Sequence, residues 1–174
     1  MIKHLVISAL GDDKPGIVKS ISKQILDAGG NIADSRMSVL GDEFALIMLV
    51  DGAEDAIKKI KSMLPEMEES LSLTIISKET AISAKTVQRV PYVVEVVAMD
   101  NPGIVHEVTE FLTDHNINVE ELATSSYRAA HTGAAMFSME MSISIPGDVN
   151  ISSIKSALLA FCDERNLDVS LSAL

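Results

Sequence analysis

One short phrase occurs twice in this chain of 174 residues, and it constrains the fold more than any other feature. Residues 13–18 read Asp-Lys-Pro-Gly-Ile-Val and residues 100–105 read Asp-Asn-Pro-Gly-Ile-Val, an offset of 87 positions. At the same offset Asn31-Ile32 returns as Asn118-Val119. Two motifs that share one offset indicate a duplicated domain. The apolar residues of the following helix also correspond: Ile17, Val18, Ile21 and Ile25 match Ile104, Val105, Val108 and Leu112.

The first copy has the pattern of a strand, a helix, a hairpin, a second helix and a last strand. The apolar run 4–10 predicts a buried strand, and Pro15-Gly16 suits the first turn of a helix that Gly29-Gly30 ends. Gly41-Asp42 suits a two-residue hairpin turn. The other predicted elements are hairpin strands 32–40 and 43–50, a helix 54–64 that Pro65 and the acidic residues 66–69 break, and a strand 71–77.

The second copy repeats this β-α-β-β-α-β order. We predict domains over residues 1–82 and 90–174, with a linker over 83–89. Each domain is expected to be an α+β, ferredoxin-like fold with a four-stranded antiparallel sheet and two helices on one face. One sheet face then stays uncovered, so we expect the domains to pair with each other or the chain to form a homodimer or higher oligomer. The predicted elements are strand 92–99, helix 103–115, hairpin strands 119–129 and 134–145, a helix striped by Ile151, Ile154, Leu158 and Phe161, and strand 167–171.

The charge of the chain argues against nucleic-acid binding. The formal net charge is −11, and both halves are acidic: residues 1–85 carry 10 Lys and Arg against 13 Asp and Glu, and residues 86–174 carry 4 against 12. Neither half offers the basic face that supplies most non-specific affinity for DNA, and the same holds for anionic membranes. There is no apolar run long enough to span a membrane and no signal peptide, so we expect a cytoplasmic protein.

No motif for catalysis or metal binding is present in the sequence. The nucleophile elbow, the P-loop and the Cys-x-x-Cys pair are absent, and His106 begins only a near match to a zinc-protease helix, with Glu110 where the second His must stand. The single Cys162 lies on an apolar helical stripe, which favours a core thiol over a reactive one. We expect no enzyme activity, no cofactor and no metal.

The repeated turn is the candidate site. Pro fixes φ on the approach to the helix, Gly removes a Cβ that would hold a ligand away, and Asp12 or Asp13 is placed to cap free amides. Amides that stay free attract an anion such as an amino-acid carboxylate. Asn31 and Asn118 start the next strand at the opposite end of the helix, so each is expected to serve a neighbouring domain's turn. The alternative is purely structural: a tight strand-to-helix turn, with each Asn at a left-handed corner.

The element order, the two turns and the two Asn-Ile/Val corners resemble tandem ACT domains, regulatory modules that sense amino acids. The resemblance implies ligand-binding positions at both turns and both corners. In the first copy these are Asp13, Gly16, Ile17, Asn31 and Ile32. In the second copy they are Asp100, Gly103, Ile104, Asn118 and Val119. Lys14 stands where the second turn has Asn101, so the two sites are expected to differ in charge.

Within that family the chain is similar to the repressors of the glycine cleavage system. This resemblance rests on residues 5–11 before the first turn and on His131-Thr132-Gly133 followed by Met136-Phe137. It implies a protein that silences a DNA-bound transcriptional activator without touching DNA, with glycine relieving the repression. A pure interaction module without a ligand, or a regulator of another amino-acid pathway, stays open as an alternative.

The second hairpin is longer than the first. Phe44 aligns with Phe137 at an offset of 93 rather than 87, so about six residues are added around positions 128–133. Such an enlargement is either a tolerated insertion or a specialised contact. On the second interpretation Arg128, His131, Thr132 and Gly133 bind the protein partner.

Overall fold

The computed structural model describes residues 2–82 and 89–174, and its contacts separate the chain into two compact units. The first unit is described over 2–82 and the second over 89–174. Six of the seven predicted linker residues, 83–88, lie outside the described residues. The seventh, Arg89, is the first residue of a strand. The boundaries 1–82 and 90–174 therefore stay a prediction.

The first unit has the predicted β-α-β-β-α-β order. Its four strands form one antiparallel sheet in the order β2-β3-β1-β4. Gly41 and Asp42 form the tight turn between the hairpin strands, and Gly41 has φ 65°. The elements are β1 (Ile2–Asp12), α1 (Ile17–Asp27), β2 (Asn31–Leu40), β3 (Glu43–Ala53), α2 (Glu54–Leu71) and β4 (Leu73–Thr80).

The second unit repeats the same topology, with sheet order β6-β7-β5-β8. Every described pair of neighbouring strands is antiparallel. The predicted fold class is therefore confirmed in both units. The elements are β5 (Arg89–Met99), α3 (Ile104–Asp114), β6 (Asn118–Arg128), β7 (Ala135–Pro146), α4 (Ile151–Asp163) and β8 (Asp168–Ala173).

Each unit has its own aliphatic core between its sheet and its helices. In β1 every second residue is buried, because alternate side chains of a strand point to the same face. α1 buries one stripe against that face, and the second unit uses the matching positions. The buried sets are Leu5, Ile7, Ala9, Ile17, Ile21 and Ile25 in the first unit and Val94, Val96, Ala98, Ile104, Val108 and Leu112 in the second.

The prediction that Pro65 breaks the second helix was wrong. α2 continues through Pro65 to Leu71, and residues 66–69 are helical rather than a break. Pro inside a helix removes one backbone hydrogen bond and costs about 3 kcal/mol relative to Ala. The continued helix buries Met67 to 1% exposure in the core. Glu68 Oε1 also accepts a hydrogen bond of 2.7 Å from the backbone N–H of Ile75 in β4, so tertiary contacts outweigh the local penalty.

Cys162 is a buried core residue of α4, as its place on the apolar stripe predicts. Burial raises the pKa of its thiol from the ordinary 9.0 to about 11. The thiol is therefore protonated at neutral pH and is a poor nucleophile.

Candidate functional site

The first turn, residues 13–16, joins β1 to α1 beside the tip of the β2–β3 hairpin. The backbone N–H of Asp13 donates to the carbonyl of Asp42 at 3.1 Å, which ties the turn to the hairpin. Gly16 has φ 94°, in the left-handed region, and its carbonyl accepts from the N–H of Ser20 at 2.9 Å as the first bond of the helix. The turn therefore presents the N-terminal amides of α1 next to a fixed loop.

The second turn, residues 100–103, has the same geometry. The N–H of Asp100 donates to the carbonyl of Ala135 at 2.9 Å, and Gly103 has φ 101°. A Cβ built at Gly16 would meet nothing within 4 Å, and one at Gly103 would meet only Glu107 Oε1 at 3.7 Å. Both glycines are thus required by backbone conformation, while the space before them stays open to a ligand.

The N-terminus of α1 has no side-chain cap among the described residues, so the expected capping by Asp12 or Asp13 was wrong. Asp12 instead forms an ion pair with Lys14, with Oδ2 and Nζ 3.3 Å apart. The first turn of α1 also contains no acidic residue. By contrast, α4 is capped by Asn150, whose Oδ1 accepts from the N–H of Ser153 at 3.2 Å. The start of α1 therefore keeps its partial positive charge available.

The N-terminus of α3 differs, because Glu107 lies in its first turn. Its carboxylate accepts a hydrogen bond of 3.1 Å from Nε of Arg165 and is held at this end of the helix. A negative charge near a helix N-terminus already satisfies the helix dipole. The second turn is consequently less attractive to an anion than the first.

Ile17 and Ile104 are core residues rather than lining residues. Their side chains are 4% and 6% exposed and belong to the two hydrophobic cores. Only the backbone groups of these two residues can contact a ligand. The N–H of Ile17 lies 3.5 Å from the carbonyl of Lys14, which makes a weak hydrogen bond.

Asn31 and Asn118 lie far from the turns of their own units. Asn31 pairs with Asp51 at one end of β3, whereas the first turn lies beside Glu43 at the other end. Eight residues of strand span roughly 27 Å. A single unit therefore does not bring its turn and its Asn together, in agreement with the predicted position of each Asn at the opposite end of the helix. Whether an Asn serves the turn of a neighbouring domain stays a prediction.

The alternative of Asn31 and Asn118 as left-handed corners is wrong. The positive φ angles before β2 and β6 belong to Gly29 and to Asn116, at 86° and 56°. Each Asn is instead the first residue of its strand, followed by a β-bulge. Ile32 and Val119, the residues after them, pack against the cores and are partly buried.

Polar side chains that the sequence analysis missed lie next to Asn118 and opposite Asn31. Nδ2 of Asn118 donates to Glu120 Oε1 at 3.0 Å, and the hydroxyl of Ser144 donates to the same oxygen at 2.8 Å. In the first unit His4 Nδ1 lies 2.6 Å from Asp51 Oδ1. Strand pairing places Asp51 opposite Asn31 and Ser144 opposite Asn118, so the hairpin register could have identified both.

The long hairpin loop, residues 129–134, is held by its own hydrogen bonds. The N–H of Ala129 donates to Ala134 at 2.9 Å, and that of Gly133 donates to Ala129 at 2.8 Å. Arg128 donates to the carbonyl of Gly133 at 3.1 Å, and Thr132 accepts from the N–H of Ala134 at 3.3 Å. Three of the four predicted partner-binding residues, Arg128, Thr132 and Gly133, thus shape the loop, while His131 is exposed.

Residues 2–82 and 89–174 provide neither a metal site nor a membrane-spanning helix. They contain no group of three or more His, Cys, Asp and Glu side chains arranged to hold a metal ion. Within the same ranges, every helix falls short of the length and apolar character that crossing a membrane requires.

Comparisons with known proteins assign the class. Residues 3–77 match the ACT domain family. The crystal structure of a candidate glycine cleavage system transcriptional repressor superposes with a TM-score of 0.76 at 26% identity, covering 100% of this chain and 98% of that one. A protein from Galdieria sulphuraria gives a TM-score of 0.80 at 26% identity, covering 100% of this chain and 99% of that one. The fold and the duplicated turns thus define a tandem ACT-domain protein.

A curated relative narrows the assignment. The glycine cleavage system transcriptional repressor of Escherichia coli (strain K12) is 34% identical over 168 residues, which cover 97% of this chain and 88% of that protein. The chain belongs to the family of glycine cleavage system transcriptional repressors.

Proposed function

We propose that the chain is a non-enzymatic, cytoplasmic regulator that binds a small amino acid, glycine first, and represses the glycine cleavage operon through a DNA-bound activator protein. The relationship to the Escherichia coli repressor over nearly the whole chain supports the regulatory role. The net charge of −11 supports action on a protein rather than on DNA, because phosphate binding needs a basic surface.

The observation that carries the sensing role is the uncapped N-terminus of α1 behind Gly16. No atom lies within 4 Å of a Cβ built at Gly16, and the first helical turn of α1 contains no Asp or Glu. Lys14, which pairs with Asp12, lies in the loop before the helix. A helix N-terminus of this kind attracts an anion such as an amino-acid carboxylate. We therefore assign the sensing site to the first turn, and we place the second turn, where Glu107 already supplies a carboxylate, as the weaker or empty site.

The amino group of the ligand needs an acceptor that the first turn does not supply alone. An Asn amide offers both an acceptor and a donor, which suits a zwitterion. Because Asn31 lies at the far end of its own sheet, we propose that the amide is supplied by another domain, such as Asn31 of a second copy of the chain. Ligand binding would then favour one arrangement of domains, typically by 1–3 kcal/mol, and so change what the protein captures.

A second candidate function is an interaction module without a ligand. It is favoured by the long hairpin loop, whose internal hydrogen bonds preset its shape. A preset loop loses little entropy on binding a partner. Under this alternative the two turns only connect a strand to a helix, and the positive φ angles of Gly16 and Gly103 serve that connection.

Thermal unfolding against added amino acids tests the proposal. A ligand at 100 times its dissociation constant adds about 2.7 kcal/mol to the free energy of unfolding. We expect a rise in the unfolding midpoint with glycine that exceeds the rise with serine or alanine. If no single amino acid changes the unfolding midpoint, the interaction module without a ligand remains as the function.

A further inference from the structure

The two units differ on the sheet face that is turned away from the helices, which we call the open face. The buried strand positions that face the helices are apolar in both copies, but several open-face positions between them differ in polarity. The first unit has Ser8, Ile47, Leu49 and Ile76, where the second has, in the same order, Glu95, Glu140, Ser142 and Ser170. Val6 and Leu10 correspond to Val93 and Val97 and stay apolar. The centre of the second open face is therefore a carboxylate and hydroxyl surface, whereas the first unit is mainly apolar at the matching positions of β1, β3 and β4.

Two carboxylates lie directly opposite each other at the centre of this surface. Glu95 of β5 is paired with Glu140 of β7, and both are exposed. Ser170 donates to Glu95 Oε2 at 3.0 Å, but within residues 2–82 and 89–174 no Lys, Arg or His reaches either carboxylate to form an ion pair. Like charges directly opposite on neighbouring strands destabilise a sheet. A cation placed between them would remove that repulsion.

The carboxylates line a groove of about 420 Å³ that crosses β5, β7 and β6. Its open-face lining is Glu95, Val97, Ala123, Ser125, Ser138 and Glu140. The hydroxyls of Ser125 and Ser138 lie 2.8 Å apart and can each donate or accept. The groove can thus hold a cationic group and satisfy several of its N–H donors.

An apolar row continues the open face toward the second turn. Tyr127, Met136 and Met99 lie side by side on three neighbouring strands, and Tyr127 and Met99 are 47% and 64% exposed. Tyr and Met are enriched in protein interfaces, and Met adapts its shape to different partners. The face therefore matches a protein surface with a basic side chain next to apolar ones.

We propose that the open face of the second unit, centred on Glu95 and Glu140, is the docking surface for the partner protein, and that the partner inserts a Lys or Arg flanked by apolar residues. Charge complementarity selects this occupant, since residues 86–174 carry 12 acidic against 4 basic side chains. The inference rests on the proposed function only in naming the partner as the activator.

The first test uses the full chain and a basic peptide, acetyl-Lys-Val-Lys-Val-Lys-Val-amide, followed by NMR of the ¹⁵N-labelled protein. Amide shifts are expected at Glu95, Ser138 and Glu140, and they should fade at about 0.5 M NaCl, where the Debye length is a few ångströms. The double variant Glu95→Gln with Glu140→Gln should bind about tenfold more weakly. It should also unfold at a higher temperature, because the repulsion is gone.

The matched control carries the same change in charge on the exposed Glu66 and Glu69 of α2, as Glu66→Gln with Glu69→Gln. This control should bind the peptide like the parent. Equal binding by parent, control and open-face variant would overturn the docking surface, as would shifts confined to the first unit.

The second test measures capture of the purified activator by the same three proteins. Loss of capture in the open-face variant alone supports the assignment. Equal capture by all three would overturn the docking surface and leave the repressor function intact. If the parent captures no activator yet binds the peptide at Glu95 and Glu140, the proposed function fails while the basic-partner surface stands.

Discussion

Ser20 and Glu107 occupy the same position in the two copies, and each donates its backbone N–H to the carbonyl of the turn glycine at 2.9 Å. Ser20 leaves the first helix N-terminus without a carboxylate, whereas Glu107 supplies one to the second. The two turns share one backbone shape and differ in the charge next to it. This difference gives a reciprocal experiment.

Exchanging these two side chains should move the amino-acid site from one unit to the other. Ser20→Glu is expected to abolish glycine binding while stabilising α1 by roughly 0.3–1 kcal/mol through the helix dipole. Glu107→Ser should open the second turn. Calorimetric titration of each variant with glycine measures this. Undiminished binding by Ser20→Glu would exclude the first turn from the site.

Gly16 should tolerate Asn better than Ala. At φ 94° a residue with a Cβ is strained by roughly 1–2 kcal/mol, and Asn enters the left-handed region more readily than Ala. We expect Gly16→Ala to lower the free energy of urea unfolding by that amount and Gly16→Asn by less. Gly103, with φ 101°, should give the same order of effects. Ala and Asn variants of equal stability would contradict the strain argument.

Pro65→Ala should stabilise the first unit. Ala restores a helical N–H in the interior of α2, and we expect a gain of about 2 kcal/mol, the helix penalty of Pro less its effect on the unfolded chain. Met67→Ala should cost about 2–5 kcal/mol, because Met67 is 1% exposed in the core. Denaturant unfolding measures both. If Pro65→Ala lowers the stability instead, the proline is needed for the direction in which α2 runs across the sheet.

Cys162 should make stability depend on pH in the alkaline range. Its pKa is 9.0 in the unfolded chain and about 11 in the folded one. The folded state therefore favours the neutral thiol, so this contribution is complete below pH 9 and is lost as the pH rises through about 11. We expect a loss on the order of 2 kcal/mol.

The variant Cys162→Ala is the control for this pH effect. This variant should have a lower free energy of unfolding at neutral pH than the parent. Between pH 9 and about 11, however, its free energy of unfolding should fall by less. Parallel pH profiles for parent and variant would assign the alkaline loss to other groups. Alkylation of the native thiol should also be slow compared with its alkylation in denaturant, since the side chain is buried.

The element order could be predicted because apolar periodicity and turn residues act locally. Gly41 at the hairpin tip and Gly29 after α1 hold the conformations that their residue type indicates. Pro65 could not be interpreted correctly, because its local penalty is offset by the burial of Met67, a contact between distant parts of the chain. The helix boundary depended on packing, which the sequence alone does not give.

The candidate site was predictable in its backbone and not in its electrostatics. The repeated Pro-Gly phrase locates both turns, since left-handed glycines are a property of the residue type. The role of Glu107 depends on Arg165, 58 residues away along the chain. The pairing of Glu95 with Glu140 likewise depends on strand register. Such long-range pairs can be identified only when the strand pairing and helix packing are known.

The opposed carboxylates Glu95 and Glu140 also restrict the symmetry of any homodimer. A two-fold axis through this face would set each copy's pair of negative charges against the identical pair of the other, four like charges in one interface. An isologous contact here is therefore electrostatically disfavoured. The protein can associate with itself through its other surfaces and still keep this face of every protomer available to a different, positively charged molecule.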